Sequence, residues 1–378
     1  MRFRPVLVGW MFALVWLSGA AQSATDRLSD EAFAALIPRL SEEGGAFPVE
    51  NFVSNERTFQ VVVPRLRDHV RPGGVYIGVG PEQNFTFINA VRPAVVFIID
   101  IRRQNMLEHL MYKAAFETAA TRADFLSYIF SRPRPPNLDT DTNVTALLRA
   151  YLPIEPSKPL RTSHEEAAIS QLHARFPGVL TSKDDNTLKH LYSTFFEGGP
   201  LLTYAGPRPA VVDPGRRGWA TMATLLSATD ADGRQQSYLA SEDSFLFVKS
   251  LEERNLLIPV VGDFAGPKAI RAVGEYLASR HLTVTAFYCS NVEQYLFRDN
   301  KWKAFYDSVA TLPLDDTSMF IRAFDKPTVR MSAAASPSSQ ASADADELLA
   351  PMKAFLAAYA AGRIKTYDDV ERLSKEPR

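Results

Sequence analysis

Short runs of β-branched and aromatic residues alternate along this chain with stretches in which apolar residues recur every three or four positions. The alternation is tightest between Gly73 and Asp100. Residues 75–77 form a strand-like run, Gly78 and Gly80 puncture it, and Phe85, Ile88 and Val91 then recur at helical spacing. Residues 94–99 follow as an unbroken apolar run, the signature of a strand buried on both faces of a parallel sheet.

The same alternation extends in both directions. Upstream, Leu28, Phe33, Leu36, Ile37 and Leu40 predict a helix over 26–40, capped by Ser29 or Asp30, and a second helix spans 59–70. Downstream of Asp100, Met106, Leu107, Leu110, Met111 and Ala114 form a sheet-facing stripe, with His109 and Lys113 one turn apart on a polar face. Strands return at 256–261 and 282–288, each followed by a helix, at 269–280 and 292–297; a late strand at 319–324 suits a sheet edge.

Two stretches break the pattern. From 131 to 218, after Arg132-Pro-Arg-Pro-Pro136, three helical segments (142–151, 163–176 and 184–197) read as an α-helical insertion, the second opened by a Ser163/Glu166 capping box. Residues 331–346 are rich in alanine, serine and proline and read as a linker. Two helices, 347–361 and 366–373, form a C-terminal appendage within 347–378. The whole predicts a Rossmann-like α/β domain over 24–330, its mostly parallel sheet covered by helices on both faces.

Polar residues gather where the strands end. Gly78 and Gly80 suit a turn in which the backbone approaches a ligand, and Asp100 lies where an acid accepts hydrogen bonds from ribose hydroxyls. The third glycine of a dinucleotide fingerprint is missing and no Gly-Lys-Ser/Thr follows. Glu82 would also compete with a phosphate for the helix's positive end, so a nucleoside without phosphates fits better. The alternative is a plain tight turn, with Asp100 capping the next helix. Asp263 ends the 256–261 strand after Gly262 and is the preferred acid or base, or else a helix cap. Ser290, Asn291 and Glu293 follow the 282–288 strand, and Glu293 and Tyr295 are placed to position a nucleophile or to pack a helix. His164, His173 and His190 show no metal-ligand spacing, and no metal is expected.

Tyr76-Ile-Gly-Val-Gly-Pro-Glu82 with Ile99-Asp100 resembles the first two motifs of class I S-adenosylmethionine-dependent methyltransferases. The blocks Val53-Ser-Asn-Glu56, Asp100 to Lys113, Pro259 to Lys268 and Ser290 to Phe297 are similar to a bacterial family of unknown function with a methyltransferase-like core, over about 41–324. The resemblance implies that Ser54, Asn55 and Glu56 lie over the ligand; the alternative is a helix N-cap with charges in its first turn. It also implies that Gly78, Gly80, Glu82, Asp100, Ser290 and Asn291 hold S-adenosylmethionine, and that Asp263 and Glu293 serve the acceptor side. No block matches a methyl-acceptor motif such as Asn-Pro-Pro-Tyr, so the acceptor, a small molecule or otherwise, is not implied. A non-catalytic nucleoside-binding or structural protein that kept the fold is the alternative.

Arg2 and Arg4, an apolar run over 6–17 and small residues ending at Ser23 have the order of a secretory signal, so residues 1–23 are expected to be removed and the rest exported to the periplasm or beyond, with an uncleaved membrane anchor as the alternative. Removal takes two arginines from 42 basic residues against 43 acidic ones, leaving a weakly acidic chain with nothing to recruit nucleic acid and no membrane span. Export sits uneasily with a cofactor made in the cytoplasm. The single cysteine, Cys289, cannot form an internal disulfide and reads as a buried small hydrophobe.

Overall fold

The computed structural model describes residues 26–207, 220–324 and 346–375. The expected signal segment and all but the last residue of the expected linker lie outside them.

Six strands form one sheet: β1 (Val75–Gly78), β2 (Val95–Asp100), β3 (Leu257–Val261), β4 (Val284–Ser290), β5 (Leu314–Phe324) and β6 (Asp346–Pro351). Their order is β3-β2-β1-β4-β5-β6, parallel throughout except that β6 runs antiparallel to β5. Every residue of β1, β2 and β3 is buried, as expected of strands covered on both faces. The fold is the Rossmann-like α/β class that the alternating pattern predicts.

The helices are α1 (Asp30–Leu40), α2 (Val63–His69), α3 (Gln83–Val91), α4 (Arg103–Thr118), α5 (Arg122–Phe130), α6 (Val144–Tyr151), α7 (Lys158–Arg175), α8 (Ser182–Gly198), α9 (Met222–Leu226), α10 (Glu242–Glu253), α11 (Ala269–Ala278), α12 (Val292–Arg298), α13 (Trp302–Val309), α14 (Met352–Ala360) and α15 (Tyr367–Lys375). Ser29 caps α1 by accepting from the Ala32 N–H at 3.2 Å. No helix among the described residues is long and apolar enough to cross a membrane.

Several boundaries differ from expectation for identifiable reasons. The second helix starts at Val63, not residue 59, because Pro64 is tolerated only in a first turn. α7 starts at Lys158 under a Ser157 cap, which leaves Ser163 inside the helix; true capping boxes form at Thr121/Asp124 and Thr181/Asp184 instead. The late strand is five residues longer at its start than expected and is not an edge, because residues 347–351, expected as helix, join the last linker residue in pairing with it as β6. The amphipathic helix α10 was not anticipated. Cys289 is fully buried in β4, and Met106 and Met111 pack into the core.

Candidate functional site

The chain leaves β1 toward β2 on one side and later returns to β4 on the other. The strand order therefore reverses at β1, and open α/β sheets bind ligands at such a switch point, outside the carboxyl ends of the strands. A cleft of about 260 Å³ lies there. Its wall includes Gly80, Asp100, Asp263, Ser290, Asn291 and Asn55, so the polar ends of four strands meet in one hollow.

The segment from Ser41 to Glu56 runs across this edge of the sheet and builds the opposite wall. Glu42 fixes its start, accepting from the Asp263 N–H at 3.0 Å and the Lys268 N–H at 2.9 Å. Gly45 N–H donates to the Ile101 carbonyl at 2.8 Å. Gly44 has no room for a side chain, since a Cβ would stand 2.9 Å from that same carbonyl oxygen. Phe47, Asn51 and Asn55 then face the cleft, Phe47 meeting Tyr295 edge to face at 5.5 Å.

The glycine turn divides its labour. Gly80 has φ +79°, a conformation natural to glycine, and borders the cleft. Gly78 does not: a Cβ there would lie 2.0 Å from Asn84 Oδ1, so its role is to admit Asn84. The Asn84 amide donates to the carbonyls of Val79, Gly80 and Pro81 at 2.9, 3.1 and 2.8 Å, and its Oδ1 accepts from the Tyr76 hydroxyl at 2.8 Å. Glu82 also corrects the expectation. It is fully buried behind the cleft, accepts from the Ser54 N–H at 3.3 Å, and leaves Oε2 without a partner. Burial pushes its carboxyl up to about 8, so at neutral pH it is mostly uncharged and does not compete with an anion for the α3 dipole.

Asp100 stands in the cleft wall, where its neighbour claims most of its capacity. Oδ1 accepts from Arg102 N–H at 2.8 Å and Nε at 3.0 Å, and Oδ2 accepts from Nη2 at 2.8 Å. Arg102 also donates to the Glu50 carbonyl, tying the covering segment to β2. A carboxylate has about four lone-pair directions; three are used, and Oδ2 keeps one. The expected contact to two ribose hydroxyls is thereby reduced to one.

The acid and base candidates are both engaged. Asp263 Oδ1 accepts from the Ala265 N–H at 2.9 Å, which makes it a turn cap, and Oδ2 lies 3.9 Å from Lys301 Nζ. Glu293 is not in the cleft wall. It is almost fully buried and forked by Arg322 at 2.5 and 3.0 Å, with the Tyr306 hydroxyl donating at 2.6 Å. It is a structural ion pair, not an acceptor-side group. Glu56 likewise points into the protein, where Oε1 accepts from Ser290 Oγ at 2.5 Å; Asn55 and Asn291 face the cleft.

Several cleft residues were not singled out from sequence: Arg102, Gln83 and Tyr204; Tyr295, which was, also lines the cleft. Gln83 donates to the Tyr288 hydroxyl at 2.9 Å while its buried Oε1 has no partner. Burial raises the Tyr204 phenol to about 12. Arg102 carried a readable signal, an arginine two residues after a strand-ending acid. Tyr204 comes from the far end of the helical insertion, and only the fold brings it in.

The polar face expected of α4 is buried. His109 Nε2 donates to the Gly80 carbonyl at 2.9 Å, and burial lowers its pKa to about 4, so it is neutral and supports the glycine turn from behind. Lys113 pairs with Glu117 at 3.0 Å. His173 meets Asp185 at 2.8 Å, His190 meets Glu50 at 2.9 Å, and His164 stacks on Tyr128 at 4.1 Å. Among the described residues no group of three or more His, Cys, Asp or Glu is placed to hold a metal ion.

Fold and cleft together define an α/β protein with a ligand-sized crevice at the switch point of its sheet. The chain matches the family described as Domain of unknown function (DUF7790) over residues 51–172 and 215–366, and it belongs to that family. No curated protein matches it. The matched residues include the glycine turn, Asp100, Asp263 and the β4 end, and they leave out α8.

Proposed function

We propose that the chain binds a nucleoside-type small molecule in the switch-point cleft, with S-adenosylmethionine as the ligand. The observation that carries this reading is the meeting of Gly80, Asp100 and the β4 end in one hollow of small-molecule size. Gly80 lets backbone come close to the ligand, and the free lone pair of Asp100 Oδ2 accepts one ribose hydroxyl. The unpartnered Oε1 of Gln83 is a buried acceptor awaiting an N–H donor. Arg102, Arg298 and Lys301 stand among Asp100, Asp263 and Asp299 in the wall, a mixed-charge setting that suits the zwitterionic amino-acid end of S-adenosylmethionine. When bound, that ligand supplies an electrophilic methyl group; the acceptor is not defined by the residues present.

A second reading, an exported protein that keeps the binding fold without turnover, is favoured by one observation. Asp263 is held by a turn N–H with Lys301 3.9 Å away, and Glu293 is buried against Arg322 outside the cleft wall, so both acids are engaged by the protein itself. A basic, apolar and small-residue leader fits that reading.

Calorimetric titration of the folded mature protein with S-adenosylmethionine should release heat. Asp100→Asn should weaken binding about tenfold or more, and Gln83→Met, which leaves the Asp100 pair intact, about threefold. A folded wild type that gives no heat would remove the proposal. Binding without methyl transfer to any acceptor in a cell-envelope extract would favour the second reading.

A further inference from the structure

A second hollow, of about 430 Å³, lies between the end of α1 and the outer side of α11, and it shares no residue with the switch-point cleft. Four cations line it, Arg39 from the last turn of α1 and Lys268, Arg271 and Arg280 from around α11, against one carboxylate, Glu275. Among the described residues none of these five side chains forms an ion pair. Lys268 is fixed in place by donating to the carbonyls of Pro38, at 3.4 Å, and Ser41. Arg39 and Arg280 are exposed and Arg271 is half-buried, and among the described residues no carboxylate lies within ion-pair distance of these guanidinium groups.

Tyr276 adds an observation of a different kind. It lines the hollow, is 5% exposed, and its hydroxyl has no hydrogen-bond partner. Its ring is held against Phe97 of β2 at 5.8 Å and carries Arg280 at 3.9 Å and Arg39 at 5.5 Å over its face. Buried hydroxyls are rarely left unpaired, and like charges gathered around one repel each other. A dianionic oxygen group answers both, accepting from the phenol and from guanidinium forks whose planar geometry matches phosphate oxygens.

We propose that this hollow is a second binding site, for the phosphate group of a phosphoester, with Arg39, Arg271 and Arg280 as its charge partners and the Tyr276 hydroxyl as its neutral donor. The group can belong to a soluble phosphoester or to the headgroup of an anionic lipid, and the two sources are separable by experiment. This site stands independently of the ligand assigned to the cleft.

Two probes test it on the full mature chain. Inorganic pyrophosphate is titrated calorimetrically at low salt, and vesicles containing phosphatidic acid are compared with pure phosphatidylcholine vesicles by co-flotation. Pyrophosphate binding would identify a soluble phosphoester site; co-flotation with phosphatidic acid alone would identify a headgroup site. In either arm the double variant Arg39→Gln/Arg271→Gln should weaken binding about tenfold or more, and raising the salt toward physiological strength should weaken it further. Tyr276→Phe, which keeps the ring and its stacked guanidinium groups, should cost about threefold or more. Binding of neither probe, or variants that bind as the wild type does, would overturn the assignment.

Discussion

Arg102 with Asp100 and Arg322 with Glu293 are near-identical forks, each bringing Nε and Nη2 to the two oxygens of one carboxylate. Their settings differ. The first pair sits in the wall of the cleft, with side chains 8% and 6% exposed, and the acid accepts three hydrogen bonds, which leaves Oδ2 with capacity for one more. The second is sealed, at 1% and 2%, with Arg322 sandwiched at 4.0 Å from each of the Phe320 and Phe355 rings and within 3.5 Å of Ser374 Oγ. That pair joins α12, β5, α14 and α15 and leaves nothing for a ligand to contact. The contrast shows that a polar residue near a strand end is a site residue only when its partner leaves part of it facing the crevice.

The sealed pair gives the largest expected effect. Arg322→Met leaves Glu293 buried without its cation and should destabilise the fold by about 3–5 kcal/mol in urea unfolding, and adding Glu293→Gln should restore most of the loss. A small effect of the single change would mean that water reaches Glu293. Next comes an acid with no cation. Glu82 is held at about 8 when folded, against about 4.5 in an unfolded chain, so the folded state keeps its proton more tightly. Its contribution is therefore complete below about pH 4.5 and is lost as pH rises through about 8. Wild-type stability should fall across that window, and Glu82→Gln should flatten the fall by about 3 kcal/mol or less. An unchanged pH profile in the variant would show that Glu82 is hydrated.

The smallest effect belongs to the open pair. Arg102→Met removes the same fork as Arg322→Met, but water in the cleft can reach Asp100, so the cost should be about 1–2 kcal/mol. Equal losses for the two arginine variants would erase the distinction between the regions.

Much of this contrast was readable from the chain, and part of it could not be. The strands announced themselves because runs such as Val95 to Ile99 must be buried on both faces, and their tips had to be polar where the sheet ends. Hence Gly80, Asp100, Asp263 and Ser290 were correctly gathered at one edge. What periodicity does not encode is which tip turns inward. Glu293 was misread because its partner, Arg322, lies 29 residues on, in a neighbouring strand. Gly78 and Glu82 were misread because a glycine can serve a side chain as readily as a ligand, and an acid can be buried neutral. Lys113 is covered by α10 through the Glu252 carbonyl and by Phe33 of α1, and His109 by the glycine turn and Phe85 of α3; none of these neighbours could be inferred from α4 alone. The strand β6 was hidden inside a helix-like alanine pattern, where pairing with β5 overrode propensity.

A crystal structure of the protein grown with saturating S-adenosylhomocysteine, the demethylated product, decides whether a nucleoside occupies the cleft. We expect the nucleoside to lie in the switch-point cleft with one ribose hydroxyl on Asp100 Oδ2 and the Arg102 fork still in place. An unchanged, empty cleft at saturating ligand, or a nucleoside seated away from Gly80 and Asp100, would contradict it.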